Sequence, residues 1–375
     1  MPRRREPPRL YLRERRGREA VWVIRDGGEE VSTGCSPGDR TGAEEALVRY
    51  IRSKHRPTFS DRDPSAVLVA DVLNFYAQVH APTTAHPDLI GYHLVPLILF
   101  FGSMTVGDVG GDECRGYVAA RTIGKIGRKV SDATARREME TMGAAMRFAV
   151  KEKKLSHAPI LTLPEKSPRR ERWLQRWEAA SLVAGALGWR VTACRVKDRR
   201  PDRWEKAGKP SYHVARFILI GLYTGTRHEA ILGLGWRAKT DGGWFDLDSG
   251  VLYRRGDGER ETNKRRTPAP IPDRLMPHLR RWEKKTKAGP VEYHGKRIKK
   301  LRTGFERARD LAGLDDDVTP HILRHTCATW LLRARVRPWE VAKYLGTTEK
   351  VIEATYGHHS PDFLQGAAKA FGRGA

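Results

Sequence analysis

Two stretches divide this chain before any element is assigned. "RPTFSDRDPS" (56–65) and "APILTLPEKSPRRER" (158–172) are polar, rich in charge and broken by prolines. Proline fixes φ and removes a backbone donor, so neither stretch can continue a helix or an inner strand. The hydrophobic pattern also changes across each of them. We therefore expect three domains, spanning 1–57, 64–158 and 168–375.

The first segment has the period of strands. "RLYLRER", "EAVWVIRD" and "EEVSTGC" are short, alternate apolar with charged residues, and are separated by the turn-forming "RRGR" and "DGG". A short amphipathic helix follows in "GAEEALVRYIRSKH", with Ala46, Leu47, Tyr50 and Ile51 at helical spacing. The second segment is helical throughout. Its longest helix opens at Ser131 and carries Met139, Met142, Met146 and Val150 along one face, a stripe best read as core. The third segment is mixed. "RWLQRWEAASLVAGAL" and "SYHVARFILIGLYTG" read as helices, and "GGWFDLDSGVLYRRG" as two strands about an "LDSG" turn. "TPAPIPD" reads as the edge of a third strand, where its prolines are tolerated. Four more helices follow from Pro272 to Gly346. The fold class is mainly α with small β elements (α+β): a three-stranded sheet plus helix, a helical domain, and a helix-dominated domain with a small β inset.

Charge narrows the function. Lys and Arg number 70 against 45 Asp and Glu, a net charge of +25. Such a field suits a polyanion, because each phosphate neutralised releases counterions. A solvated basic surface is the plainer reading, and an anionic membrane surface a weaker one. The best apolar run, "HLVPLILFFG", is far shorter than the roughly 20 residues of a spanning helix. "MPRRREPPRL" has no apolar stretch after its basic residues and does not read as a signal peptide. Cys35, Cys114, Cys194 and Cys327 form no CxxC pair and read as reduced thiols, so we expect a cytoplasmic protein without a membrane partner.

The residues that can carry chemistry are individually weak signals. "HILRHT" sets His321, Arg324 and His325 at i, i+3 and i+4 on one helical face. That spacing suits a zinc pair, with Cys327 or His358 as a further ligand, or simply a solvated basic helix. "YTGTRHEAILGL" places Arg227 between two apolar helices, where a salt bridge is the plain alternative. Lys264 in "TNKRRTPAPIP", taken alone, is a surface lysine. Tyr356 in "KVIEATYGHHS" is either a core aromatic or a reactive phenol. Together they suit phosphoryl chemistry: arginine forks neutralise a phosphoryl transition state, lysine and histidine move protons, and tyrosine can attack phosphorus. No metal or other cofactor is required.

The order and spacing of these residues resemble the tyrosine recombinases, the phage integrase family of site-specific DNA recombinases. Arg227, Lys264 eight residues before Pro272, the pair His321 and Arg324, and Tyr356 thirty-two after Arg324 carry the likeness, with "LLRARVRPWEVAKYLG" resembling the intervening helix pair. The resemblance implies an arm-type DNA-binding module, a core-binding domain and a catalytic domain. It implies that Arg227 and Arg324 clamp the scissile phosphate, that Lys264 protonates the leaving 5′-oxygen, that His321 assists, and that Tyr356 forms a 3′-phosphotyrosyl link. Thr347 stands where the family normally has His or Trp, and Ala230 where it has an acid, with Glu229 one position earlier. The implied partners are double-stranded DNA attachment sites, three further copies of the chain in a synaptic tetramer, a small directionality factor and a DNA-bending host protein. On DNA the protein would be nucleoid-associated, integrating or excising a mobile element. A catalytically degenerate DNA-binding regulator and a phosphatase- or nuclease-type hydrolase are the competing readings. The tail "PDFLQGAAKAF" is expected to be helical, docking either on a neighbouring protomer or on its own domain.

Overall fold

A computed structural model of the chain describes residues 8–15, 18–26, 28–54, 62–166, 172–195, 197–198, 200–259 and 266–356. They fall into two compact units, Met1–Pro168 and Arg169–Ala375.

In the first unit, β1 (Arg9–Arg15), β2 (Arg18–Asp26) and β3 (Glu29–Ser32) form an antiparallel meander, with Leu10 opposite Ile24 and Leu12 opposite Trp22. Helix α1 (Arg40–Lys54) follows. The helical part comprises α2 (Val69–Phe75), α3 (Pro87–Phe101), α4 (Gly111–Ile123) and α5 (Asp132–Lys151), and α2 runs on into a π-helical turn at Tyr76–His80. The expected methionine stripe is core: Met139, Met142 and Met146 are fully buried against Leu73, Leu94, Leu97, Phe101 and Tyr117. Ile24 of the sheet and Leu47, Val48 and Ile51 of α1 join that same buried cluster. Leu47 and Ile51, four apart, present one face, as the helical period requires.

The second unit begins with α6 (Arg176–Ala186), followed by a two-stranded ribbon, β4 (Trp189–Cys194) with β5 (Pro201–Lys206). Patterning in the sequence does not mark this ribbon: β4 alternates Trp189, Val191 and Ala193 with polar residues, but only over six residues, and β5 is charged and almost wholly exposed. Next come α7 (Tyr212–Thr224) and the short α8 (His228–Leu232). The expected inset is a three-stranded antiparallel sheet of β6 (Trp244–Asp246), β7 (Val251–Tyr253) and β8 (Ala269–Pro270), with the prolines on the edge strand. Helix α9 (Met276–Glu283), the small hairpin β9 (Glu292–Tyr293) and β10 (Lys296–Arg297), and α10 (Arg302–Leu311) lead to the last three helices. These are α11 (Ile322–Arg333), α12 (Pro338–Leu345) and α13 (Glu349–Tyr356).

Helix α11 sits between two apolar clusters. Its Ile322 and Leu323 pack with Leu182, Phe217 and Phe305, while Cys327, Ala328 and Leu332 pack with Val341, Leu345, Ile352 and Tyr356. A helix apolar on opposite sides is enclosed by its neighbours, so Arg324 and Thr326 of "HILRHT" are carried inward, with His325 half-buried and His321 left exposed at the helix start. The tail after Tyr356, with "PDFLQGAAKAF" and His358, lies outside the described residues. All four cysteines are free thiols. Among the described residues, no helix is long and apolar enough to cross a membrane.

Candidate active site

Gly225 ends α7 in the left-handed region, with φ +60°, and a Cβ there would overlap Cδ2 of Leu345 and press on Cys327 Sγ. Only glycine satisfies both the backbone and the close approach. The chain turns at Thr226, and Arg227 becomes the N-cap of α8 with extended backbone. Leu345 belongs to the C-terminus of α12, whose next residue, Gly346, is also left-handed. The tight turn after α7 therefore rests against the end of α12.

Arg324 bridges these two ends. Its Nη1 donates to the carbonyl oxygens of Gly225 and Leu345, both at 2.8 Å, and its side chain is buried. Burial, reinforced by the charges of Arg227 and Arg254, lowers its pKa to about 10. Arg227 is half-buried, and desolvation followed by the charge of Arg266 lowers its pKa. Its charge in turn acts on Arg324, His321 and Arg254, so these groups share one electrostatic environment.

His321 is the N-cap of α11, and desolvation, then the charges of Arg324, His228 and Arg227, holds its pKa below the usual value. One turn on, His325 stacks edge-on against it with ring centroids 4.7 Å apart. Tyr356 ends α13 and is buried; its hydroxyl oxygen lies 2.8 Å from His325 Nδ1. Burial raises the phenol to about 12, against the opposing pull of Arg324. His325 moves the other way, to about 4, through burial and the neighbouring His321 and Arg324. Both groups are therefore neutral at pH 7.

The structure thus brings Arg227, His321, Arg324 and Tyr356 into one electrostatically coupled cluster. Thr347 follows Gly346 just after α12, half-buried, with its backbone N–H donating to the Ala342 carbonyl at 2.9 Å. Lys264 lies outside the described residues. Glu229 is exposed and lines a neighbouring cleft with His228, Lys299, Lys300, Arg302 and His321. As for a metal, the described residues contain no group of three or more His, Cys, Asp or Glu placed to hold one.

Two site residues escaped the sequence reading. In the sequence His325 is marked only by its spacing from His321, and no motif marks Arg254. Arg254 is almost wholly buried and donates to Thr226 Oγ1 (3.0 Å) and to the carbonyls of Thr224 (2.8 Å), Thr267 (3.2 Å) and Tyr344 (2.5 Å). It ties the turn before Arg227, the residues leading into β8, and the end of α12 into one piece. A usable signal existed: Leu252 is buried on β7, and Arg254, two residues on, shares its face.

Comparison with known proteins places this arrangement. Residues 204–362 match the phage integrase family. Four-fifths of the chain (82%) also superposes on the whole of a Tn1549 transposon integrase, solved in complex with transposon right end DNA, at TM-score 0.62 and 16% identity.

The chain carries a phage integrase family domain in the tyrosine-recombinase fold.

The integrase of Salmonella phage P22 is 24% identical over 246 residues, covering 62% of this chain and 55% of that protein. The chain thus matches about half the length of that curated relative. A lambda integrase dimer bound to a COC′ core site gives a TM-score of 0.54 at 16% identity, covering 95% of this chain and 96% of that one. A lambda integrase tetramer bound to a Holliday junction gives 0.53 at 18%, covering 92% and 93%. Within the integrase family domain, Arg227, Arg254, His321, Arg324, His325 and Tyr356 all fall inside the matched residues.

Proposed function

We propose that the protein is a site-specific DNA recombinase that cuts and rejoins strands through a 3′-phosphotyrosyl intermediate, integrating or excising a mobile element. One observation carries this reading: the Tyr356 hydroxyl lies in the field of buried Arg324, whose guanidinium, among the described residues, donates only to the carbonyl oxygens of Gly225 and Leu345. Cations desolvated without a carboxylate partner are costly, and a phosphodiester supplies the missing charge.

In this reading Arg227 and Arg324 hold the scissile phosphate, and Tyr356 forms the new bond to phosphorus as the bond to the 5′-oxygen breaks. Lys264 gives that oxygen its proton, and His321, neutral at pH 7, assists. Thr347 contributes a hydroxyl donor where a stronger one is usual in the family. The phosphodiester energy is kept in the tyrosyl ester, so strand exchange needs neither ATP nor a metal. The partners are double-stranded attachment sites, bound by a homotetramer as in the lambda assembly. A directionality factor and a DNA-bending host protein control the outcome. Residues 1–57 serve as the arm-type module, 64–158 as the core-binding domain and 168–375 as the catalytic domain.

The test uses the full chain and a pool of nicked duplexes of randomised sequence, from which complexes that survive detergent are recovered. The parent protein yields a covalent adduct. Tyr356→Phe yields none while its affinity for the recovered duplex stays within about threefold, since the phenol is a small part of a largely electrostatic interface. An undiminished adduct from Tyr356→Phe would sink the assignment.

A further inference from the structure

We infer that His325 is a catalytic residue: it takes the proton from Tyr356 during attack and returns it when the tyrosine is expelled. The inference rests on the reading of Tyr356 as the nucleophile and names the base that activates it.

A protonated phenol is a poor nucleophile, and burial makes Tyr356 harder to ionise than a free tyrosine. An acceptor must therefore lie within hydrogen-bond reach of its oxygen. His325 Nδ1 is there, at 2.8 Å. His321 meets His325 only edge to face, and Arg324 points its Nη1 at two carbonyls. Helix α11 fixes the imidazole one residue from the phosphate-facing Arg324, and α13 delivers the phenol to it.

Among the described residues, the charged and titratable groups around His325 are His321 and Arg324 at and on its own helix and Tyr356 on α13. Arg227, at the start of α8, acts on the first two. They and burial keep the ring neutral, with its Nδ1 lone pair free to accept from the phenol O–H. A phosphodiester anion arriving at Arg324 works in the opposite sense and raises the basicity of His325 when the proton must move. Substrate binding thus arms the base. The step balances: the phenol O–H bond breaks, its proton goes to Nδ1, and the oxygen bonds to phosphorus. The P–O5′ bond breaks, and the 5′-oxygen is protonated from Lys264. In the rejoining step the incoming 5′-hydroxyl replaces the phenol, which recovers its proton from the imidazolium.

The test uses the full chain on the recovered duplex made with a bridging 5′-sulfur, a leaving group that needs no proton. His325→Ala removes both the hydrogen bond and the base. His325→Asn keeps an amide near the Nδ1 position but cannot take the proton. Both are expected to slow single-turnover adduct formation by about 100-fold or more, and the sulfur is expected not to restore the rate. The parent rate falls as pH drops and His325 protonates; the Asn variant lacks that acid limb.

Recovery to within threefold of parent by His325→Asn would reduce His325 to a support for Tyr356 and overturn the inference. Rescue by sulfur would move His325 to the leaving-group side and overturn it equally, as would an unchanged or faster rate in His325→Ala. Should the alanine variant fail to fold, the asparagine variant decides alone. An adduct from Tyr356→Phe would instead remove the underlying reading of the nucleophile.

Discussion

The two units each bury arginine, and they do so in opposite ways. In the first, Arg121 of α4 meets Glu138 of α5 at 2.7 Å, with both side chains almost fully enclosed, and Tyr117 donates to the same carboxylate at 2.6 Å. Burial pulls the Arg121 pKa down, but the hydrogen bonds and charge of Glu138 more than offset it, and the net shift is upward. In the second unit, Arg254 and Arg324 are as deeply buried, yet among the described residues they hydrogen-bond only to carbonyl and hydroxyl oxygens. Both of their pKa values fall. The first arrangement completes itself; the second keeps positive charge uncompensated. In the first unit the buried cation is neutralised within the protein; in the second an anionic ligand would be the complement of the proposed site.

The largest expected effect breaks the first arrangement. Glu138→Ala leaves Arg121 charged and unpaired, and should cost about 3–5 kcal/mol of stability, read as a lowered unfolding midpoint in denaturant. A change below about 1 kcal/mol would mean that the network is solvated and the contrast false. A smaller effect sharpens the second arrangement. Inorganic sulfate should stabilise the parent by about 2.7 kcal/mol at a hundred times its dissociation constant, and Arg324→Met should abolish most of that gain. Equal stabilisation of the variant would place the anion elsewhere on this strongly basic chain.

Much of this was legible in the sequence, and the reasons are specific. Ser131 and the methionine spacing fixed α5 because a long amphipathic helix repeats its period several times. The order Arg227, His321, Arg324, Tyr356 was readable because each sits in a local pattern of small or apolar residues. Lys264, also read from that pattern, falls outside the described residues. The ribbon of β4 and β5 was hidden because its partner strand, "PDRWEK", is charged and exposed, so the short alternation of "WRVTAC" has no matching strand signal. Arg254 was hidden for a different reason. "YRRG" offers two adjacent arginines, and only the registration of β7 against Phe245 and Ala269 turns one of them inward. The contact between His325 and Tyr356 joins residues 31 apart through the packing of α11 with α13, which no local period encodes.

Attack of Tyr356 on phosphorus, as proposed, leaves a product that can be isolated. The most direct measurement digests the trapped adduct with protease and nuclease and locates the attached nucleotide by mass spectrometry. A nucleotide joined through its 3′-phosphate to the peptide containing Tyr356 is the expected result. Attachment to any other residue, or strands cleaved with no attached protein, would contradict it.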